Sequence, residues 1–198
     1  MSAAKNAGLD KVVITDHNSI QGAQLAKKMA PWLFIVGEEI QTTAGELLAV
    51  FVKEEVPKGL QPMEAVHALR EQGAFISISH PFDPYRSGWT LSQLEEIAPH
   101  IDAIEIMNAR SLLPVWNARA VEFAQSHKLP GTAGSDAHLP IEVGRVALEL
   151  PDFNDLNSLW HSIKEGNPVG EISPFWVHFG STWAKFIKAM SRKEIELL

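Results

Sequence analysis

Asp136 and His138 stand two positions apart in Thr132-Ala133-Gly134-Ser135-Asp136-Ala137-His138. In an extended chain residues i and i+2 project to the same side. This carboxylate and imidazole can therefore address one point, a pairing that suits a divalent metal. The pair alone decides little, because Asp-x-His also occurs in solvated turns. Its weight comes from four other segments. His17 follows Val12-Val13-Ile14, Glu39 follows the apolar run Trp32 to Val36, His80 follows Phe75-Ile76-Ser77-Ile78-Ser79, and Asn108 follows Ala103-Ile104-Glu105-Ile106. Each polar group lies at or just past the end of an apolar strand. Polar residues with purely structural roles would scatter along strands, helices and loops.

Neighbouring residues leave alternatives open. Asp16 and His17 are adjacent, so on a strand they face opposite ways, and Asp16 is the one expected to orient an imidazole or bond the backbone. Glu38 and Glu39 present the same choice, with one of them facing solvent. Glu46 opens an apolar run and reads either as a ligand or as a solvated edge residue. His80 precedes Pro81, which predicts extended backbone there and a fixed ligand. Asn108 and Arg110 suit substrate contacts better than metal ligation, since the guanidinium is never neutral and its fork matches phosphate. Arg86, in the loop 82–90, is a second candidate phosphate clamp. His67, His100, His127 and His161 fall in predicted helices or at their ends and read as surface or packing histidines, as does His178 in the tail.

The elements that must position these groups are short. Buried strands over 12–14, 32–36, 75–79 and 103–106 alternate with predicted helices near 20–30 (capped by Ser19), 63–72, 91–98 and 114–127. A hairpin is predicted near 40–52, a last strand over 145–150, and a helix over 154–166. This alternation predicts a parallel α/β sheet, open or closed into a barrel, with its chemistry at the carboxyl ends of the strands. In the tail, Phe179, Trp183, Phe186 and Met190 recur at helical spacing and predict a terminal helix packed on the domain, part of a C-terminal helical extension from about 154 to 198.

Bulk properties narrow the function. The chain has 198 residues, enough for one domain with a sizeable core, and its 45% hydrophobic and 21% charged residues are those of a globular protein. The formal charge of -7 argues against wholesale nucleic-acid coating. Cysteine is absent, which excludes disulfides and thiolate metal sites and fits a cytoplasmic setting. No run reaches the roughly 18–20 apolar residues of a membrane span. With no cysteine and no Gly-x-Ser-x-Gly elbow, an activated Ser or Cys nucleophile is not indicated.

Five motifs in order carry a family resemblance: Ile14-Thr15-Asp16-His17-Asn18, Gly37-Glu38-Glu39-Ile40, Ser79-His80-Pro81, Ile104-Glu105-Ile106-Met107-Asn108-Ala109-Arg110 and Gly134-Ser135-Asp136-Ala137-His138. Together they resemble the polymerase and histidinol phosphatase (PHP) family of metal-dependent phosphoesterases, over about residues 8–150 of a single domain. The resemblance implies a distorted (β/α)7 barrel and two or three Zn, Mn or Fe ions at the carboxyl ends of the strands. It implies His17, Glu39, His80, Asp136 and His138 as metal ligands, and Glu46 where relatives carry a His or Glu ligand. Asp16 and Arg110 are the catalytic candidates beside the metals. Asn108, Arg110 and Arg86 are the substrate-binding ones.

The chain departs from the family at its start. The family opens with a strand carrying His-x-His, followed by an Asp. Here the first recognisable element is the end of the helix that should come next. The expectation is a truncated domain lacking the first strand, with fewer metals and weak or no activity, whose longer form is the enzyme. A barrel short of one strand exposes backbone edges that invite pairing with another copy, hence a homo-oligomer. The expected reaction is hydrolysis of a phosphorylated small molecule or nucleotide by metal-activated water. A nuclease of the same chemistry would need a basic track, and the sequence offers only the cluster at 185–193. A degenerate domain kept for binding or assembly is the alternative of a different class.

Overall fold

The strand Glu46–Val50 runs against both of its neighbours, and this reversal shapes one edge of the molecule. The computed structural model describes residues 1–86, 88–174 and 177. In chain order its elements are α1 (Ser2–Asn6), β1 (Val12–Ile14), α2 (Gln21–Met29), β2 (Phe34–Gln41), β3 (Glu46–Val50), α3 (Pro62–Gln72) and β4 (Phe75–Ile78). They continue with α4 (Leu91–Ile97), β5 (Ala103–Asn108), α5 (Pro114–His127), β6 (Gly131–Gly134), β7 (Val146–Glu149), α6 (Leu156–Ser162) and β8 (Asn167–Gly170). The predicted tail helix, with Phe179, Trp183, Phe186, Met190 and His178, lies outside the described residues.

β1 to β6 form one sheet in sequential order. All its neighbouring pairs are parallel except the two that β3 makes. The carboxyl ends of β1, β2, β4, β5 and β6 therefore share an edge with the amino end of β3, which is Glu46. In a flat sheet, five strand spacings of about 4.8 Å would separate β1 from β6 by about 24 Å. Yet the ring of His17, just past β1, lies 6.1 Å from that of His138, just past β6. The sheet is curled into a half-barrel.

Strand alternation gives this curl two unlike faces. On the convex face Ile40, Leu47, Ile76, Ile78 and Ile104 pack against Val66 and Leu69 of α3, Leu94 of α4 and Phe123 of α5. On the concave face the amino ends of the strands supply Val13, Ile35, Phe75 and Ala103, and α6 plugs them with Leu159 and, just beyond its end, Ile163. Further along the same face the side chains turn polar: Glu39, Glu46, Ser77 and Glu105. Gly37 keeps the strands close there, because an added Cβ would fall 2.6 Å from Val13 Cγ1 and 2.7 Å from the Ala49 carbonyl.

Several expectations change. β2 does not end at Val36 but continues through Glu38 and Glu39 to Gln41, because β3 pairs with it along that stretch. The strand at 145–150 leaves the main sheet and pairs antiparallel with β8, which the sequence reading missed. Among the described residues the main sheet has six strands, curled into a half-barrel where a (β/α)7 barrel lacking its first strand was expected, with β7 and β8 apart from it. Ser19 is not the N-cap of α2; that residue is Ile20, and Ser19 Oγ accepts from the Gln21 N–H at 3.4 Å. Helix boundaries elsewhere follow the expected punctuation, as in α3, which starts at Pro62 and stops at Gly73 in the left-handed conformation.

Candidate metal centre

Register decides which carboxylates meet. Gln41 pairs with Glu46 and Glu39 with Leu48, so Glu39 and Glu46 are diagonal neighbours on the concave face. Glu38 points to the other face. It is 0% exposed, with Oε2 accepting the Val56 N–H at 3.0 Å. The expectation that one of this pair faces solvent is thus wrong: both are buried, on opposite sides of the sheet. Burial raises the Glu38 carboxyl above its usual range.

The two glutamates lie between two imidazoles. His17 Nδ1 is 3.1 Å from Glu39 Oε2 and 3.7 Å from Glu46 Oε1. His80 Nε2 is 3.3 Å from Glu39 Oε1 and 3.1 Å from Glu46 Oε2. Each glutamate turns one oxygen to each histidine. One ligand atom from each of His17, Glu39 and Glu46 lies within 4.8 Å of the other two. Ser79 Oγ donates to Glu39 Oε1 at 2.7 Å and fixes that carboxylate.

Charge follows from this geometry. Burial alone would pull the His80 imidazole down, but the Glu39 and Glu46 carboxylates outweigh it and push it up to about 10. Burial would raise Glu46, and His80 more than offsets that, leaving it below the usual carboxylate range. His80 Nε2 is close enough for charge pairing, yet it has no aligned hydrogen-bond partner. The donor set fits a divalent ion: nitrogen and oxygen donors, two of each kind of residue, no thiolate. The buried Nε2 is the atom such an ion would satisfy.

The β6 end is built differently. Asp136 Oδ2 accepts from Arg86 Nη1 and, at 3.2 Å, from Asn108 Nδ2. Burial would raise the Asp136 carboxyl; Arg86 outweighs it and holds it below the usual range. His138 Nδ1 sits 3.0 Å from the Asp136 carbonyl. Glu142, fully buried, accepts the backbone N–H groups of His138 and Leu139 at 3.0 and 2.9 Å, and its other oxygen is 3.7 Å from Arg110 Nε.

A family model described as PHP-associated matches residues 114–168. Two uncharacterized proteins of Methanocaldococcus jannaschii are similar in sequence. One is 33% identical over 145 residues, 71% of this chain and 58% of that protein; the other is 35% identical over 114 residues, 55% and 64%. The chain thus spans about three fifths of the length of these relatives. Among solved structures, a proposed metal-dependent phosphoesterase from Bifidobacterium adolescentis superposes with a TM-score of 0.58 at 17% identity, covering 71% of this chain and 81% of that one. PsfC from Pseudomonas syringae superposes with a TM-score of 0.62 at 21% identity, covering 98% and 87%. These likenesses support a PHP-domain family for the chain.

Of the residues singled out in the sequence, the structure brings His17, Glu39, Glu46 and His80 together, with His138 beside His17. Asp136 and Arg86 lie close enough for their charges to act on His80, while Asp16 turns aside, and Asn108 and Arg110 are held by other partners. The Asp16 side chain is turned to α2, where an added Cβ on Gly22 would lie 2.2 Å from Asp16 Oδ2, because it faces away from its neighbour His17. Arg110 is 4% exposed beside Glu142 rather than open to substrate. Asn108 is engaged within the protein: its Nδ2 donates to Glu105 and Asp136, and its Oδ1 accepts the Arg110 N–H at 2.8 Å. Arg86 is paired with Asp136 instead of standing clear. His80 is not extended but has φ +23°, and Asn18 (+52°) and Asp136 (+47°) are also left-handed, so backbone strain gathers at this rim.

Sequence reasoning missed Glu105 and Glu142. Glu105 accepts the His80 N–H at 2.8 Å, and burial pushes its carboxyl up to about 7. Its signal was visible, a lone carboxylate inside the apolar strand Ala103-Ile104-Glu105-Ile106. Glu142 gave no such signal.

Proposed function

We propose that this domain hydrolyses phosphoesters in a metal-dependent reaction. The observation that carries the reading is the pair of glutamates set between His17 and His80 at the carboxyl edge of a curled PHP sheet. His17, Glu39, Glu46 and His80 would hold the divalent ion, Zn, Mn or Fe. When bound, the ion lowers the pKa of coordinated water and draws charge from phosphate oxygens.

The chain's own residues set the conditions for that chemistry. Ser79 fixes the Glu39 carboxylate. Glu105 holds the His80 backbone and so the imidazole's approach. Of the two arginines only Arg86 keeps part of its side chain open, 23%, and it is the remaining phosphate contact. Arg110 braces the His138 loop through Glu142. The substrate class that fits is a phosphorylated small molecule or nucleotide. A complete seven-stranded barrel, and the full activity of the longer relatives, belong to the same proposal.

The test is metal analysis of the purified chain, with hydrolysis of p-nitrophenyl phosphate in added Mn²⁺. Retained metal and turnover lost in Glu39→Gln support the reading. A folded protein with neither metal nor turnover favours the binding-module alternative.

A further inference from the structure

Arg86 reaches Asp136 across 50 residues of sequence, and its own position is fixed. Its Nε lies 3.7 Å from Asp83 Oδ2, and its backbone N–H donates to the Asp83 carbonyl at 3.3 Å. Asp83 is itself 3% exposed, and its Oδ1 accepts the Tyr85 N–H at 3.0 Å. The guanidinium is therefore anchored rather than draped over the site. Asp136 Oδ2 receives two donors, Arg86 Nη1 and Asn108 Nδ2. A guanidinium neutralises a carboxylate as a metal ion would, but it stays charged at every accessible pH and has no coordination position to offer. Ligand atoms of His17, Glu39 and Glu46 lie within 4.8 Å of one another with His80 against both glutamates, whereas the Asp136 carboxylate is engaged by Arg86 and Asn108.

We propose that Arg86 is a built-in cation that occupies the Asp136 carboxylate and closes the Asp136–His138 end of the site to metal. Loading is then confined to the glutamate pair. The two ends divide the work: the hairpin end takes exchangeable ions, and the β6 end carries a permanent positive charge supplied by the chain. This rests on the metal-binding reading above, and it adds the count and position of the ions.

The experiment counts Mn²⁺ bound per chain by equilibrium dialysis, without reference to turnover. Arg86→Gln is expected to gain one Mn²⁺ over the wild type, and Arg86→Lys to match the wild type. Asp136→Asn alone is expected to leave the wild-type count unchanged, and adding it to Arg86→Gln to remove the gained ion. An unchanged count in folded Arg86→Gln, or a lower count in Asp136→Asn, overturns the proposal while the metal reading survives. Should Arg86→Gln fail to fold, Asp136→Asn decides alone: an unchanged count supports the proposal and a lower one overturns it. A wild-type chain that binds no Mn²⁺ or Zn²⁺ sinks the metal reading itself and this proposal with it.

Discussion

The two ends of the site hold similar side chains by different means. Glu39 and Glu46 sit on interior strands, with backbone ladders on both sides of β2 and β3. Asp136 and His138 follow β6, an edge strand of the sheet, and depend on side chains from elsewhere: Arg86, Asn108 and Glu142. The difference teaches that ligand geometry can be written into strand register or into a buried polar network. The first is robust to losing one side chain. The second is not, because removing one partner of a buried charge pair strands the other.

The largest expected effect follows from that contrast. Glu142→Ala removes the acceptor of two backbone N–H groups and the carboxylate beside Arg110, and should cost about 3–5 kcal/mol in chemical denaturation. Hydrogen exchange should quicken over residues 136–142 and stay unchanged in β2 and β3; uniform quickening would break the comparison. Next, Glu39→Gln should weaken Mn²⁺ binding by more than the roughly 10–100-fold typical of losing an outer partner of a metal ligand. Titration calorimetry checks this, and an equal loss in Asp136→Asn would erase the asymmetry.

A third prediction concerns pH. His80 is raised to about 10, so near neutrality it carries a proton that an incoming ion must displace. Binding should release a proton, and apparent affinity should rise by up to about tenfold per pH unit above neutral until pH approaches 10. Calorimetry in buffers of different ionisation enthalpy measures that release; affinity that falls as pH rises would contradict it. The smallest effect belongs to the outer layer. Thr90 Oγ1 accepts the Gln93 N–H and caps α4, so Thr90→Ala should cost about 1 kcal/mol with metal binding unchanged.

Much of the fold was legible because apolar runs and Pro/Gly punctuation mark its boundaries. α5 spans Pro114–His127 as expected, and the 40–52 hairpin forms. β8 was not legible, since Asn167-Pro168-Val169-Gly170 carries none of a strand's alternation and, among the described residues, pairs only with β7. In the site, residue types were readable at strand ends, but side-chain direction was not. Which of Glu38 and Glu39 enters the cleft is fixed by pairing with β3, and the Arg86–Asp136 contact by the path of a loop 50 residues away. Positive φ at His80 runs against the local rule for a residue before proline, and only the tertiary setting imposes it.

The reversal of β3 carries a consequence for insertions. Because β3 returns alongside β2, the turn 42–45 is a rim connection whose length sets a side-chain phase. Slipping the two strands by one residue would bring Leu47, not Glu46, to the position facing the ligand cluster. Beyond the positions of His17, Arg86 and His138, the loops after β1, β4 and β6 can lengthen without shifting a strand's register. Chain-length variation in such a domain should therefore spare this four-residue turn and accumulate around the rest of the rim.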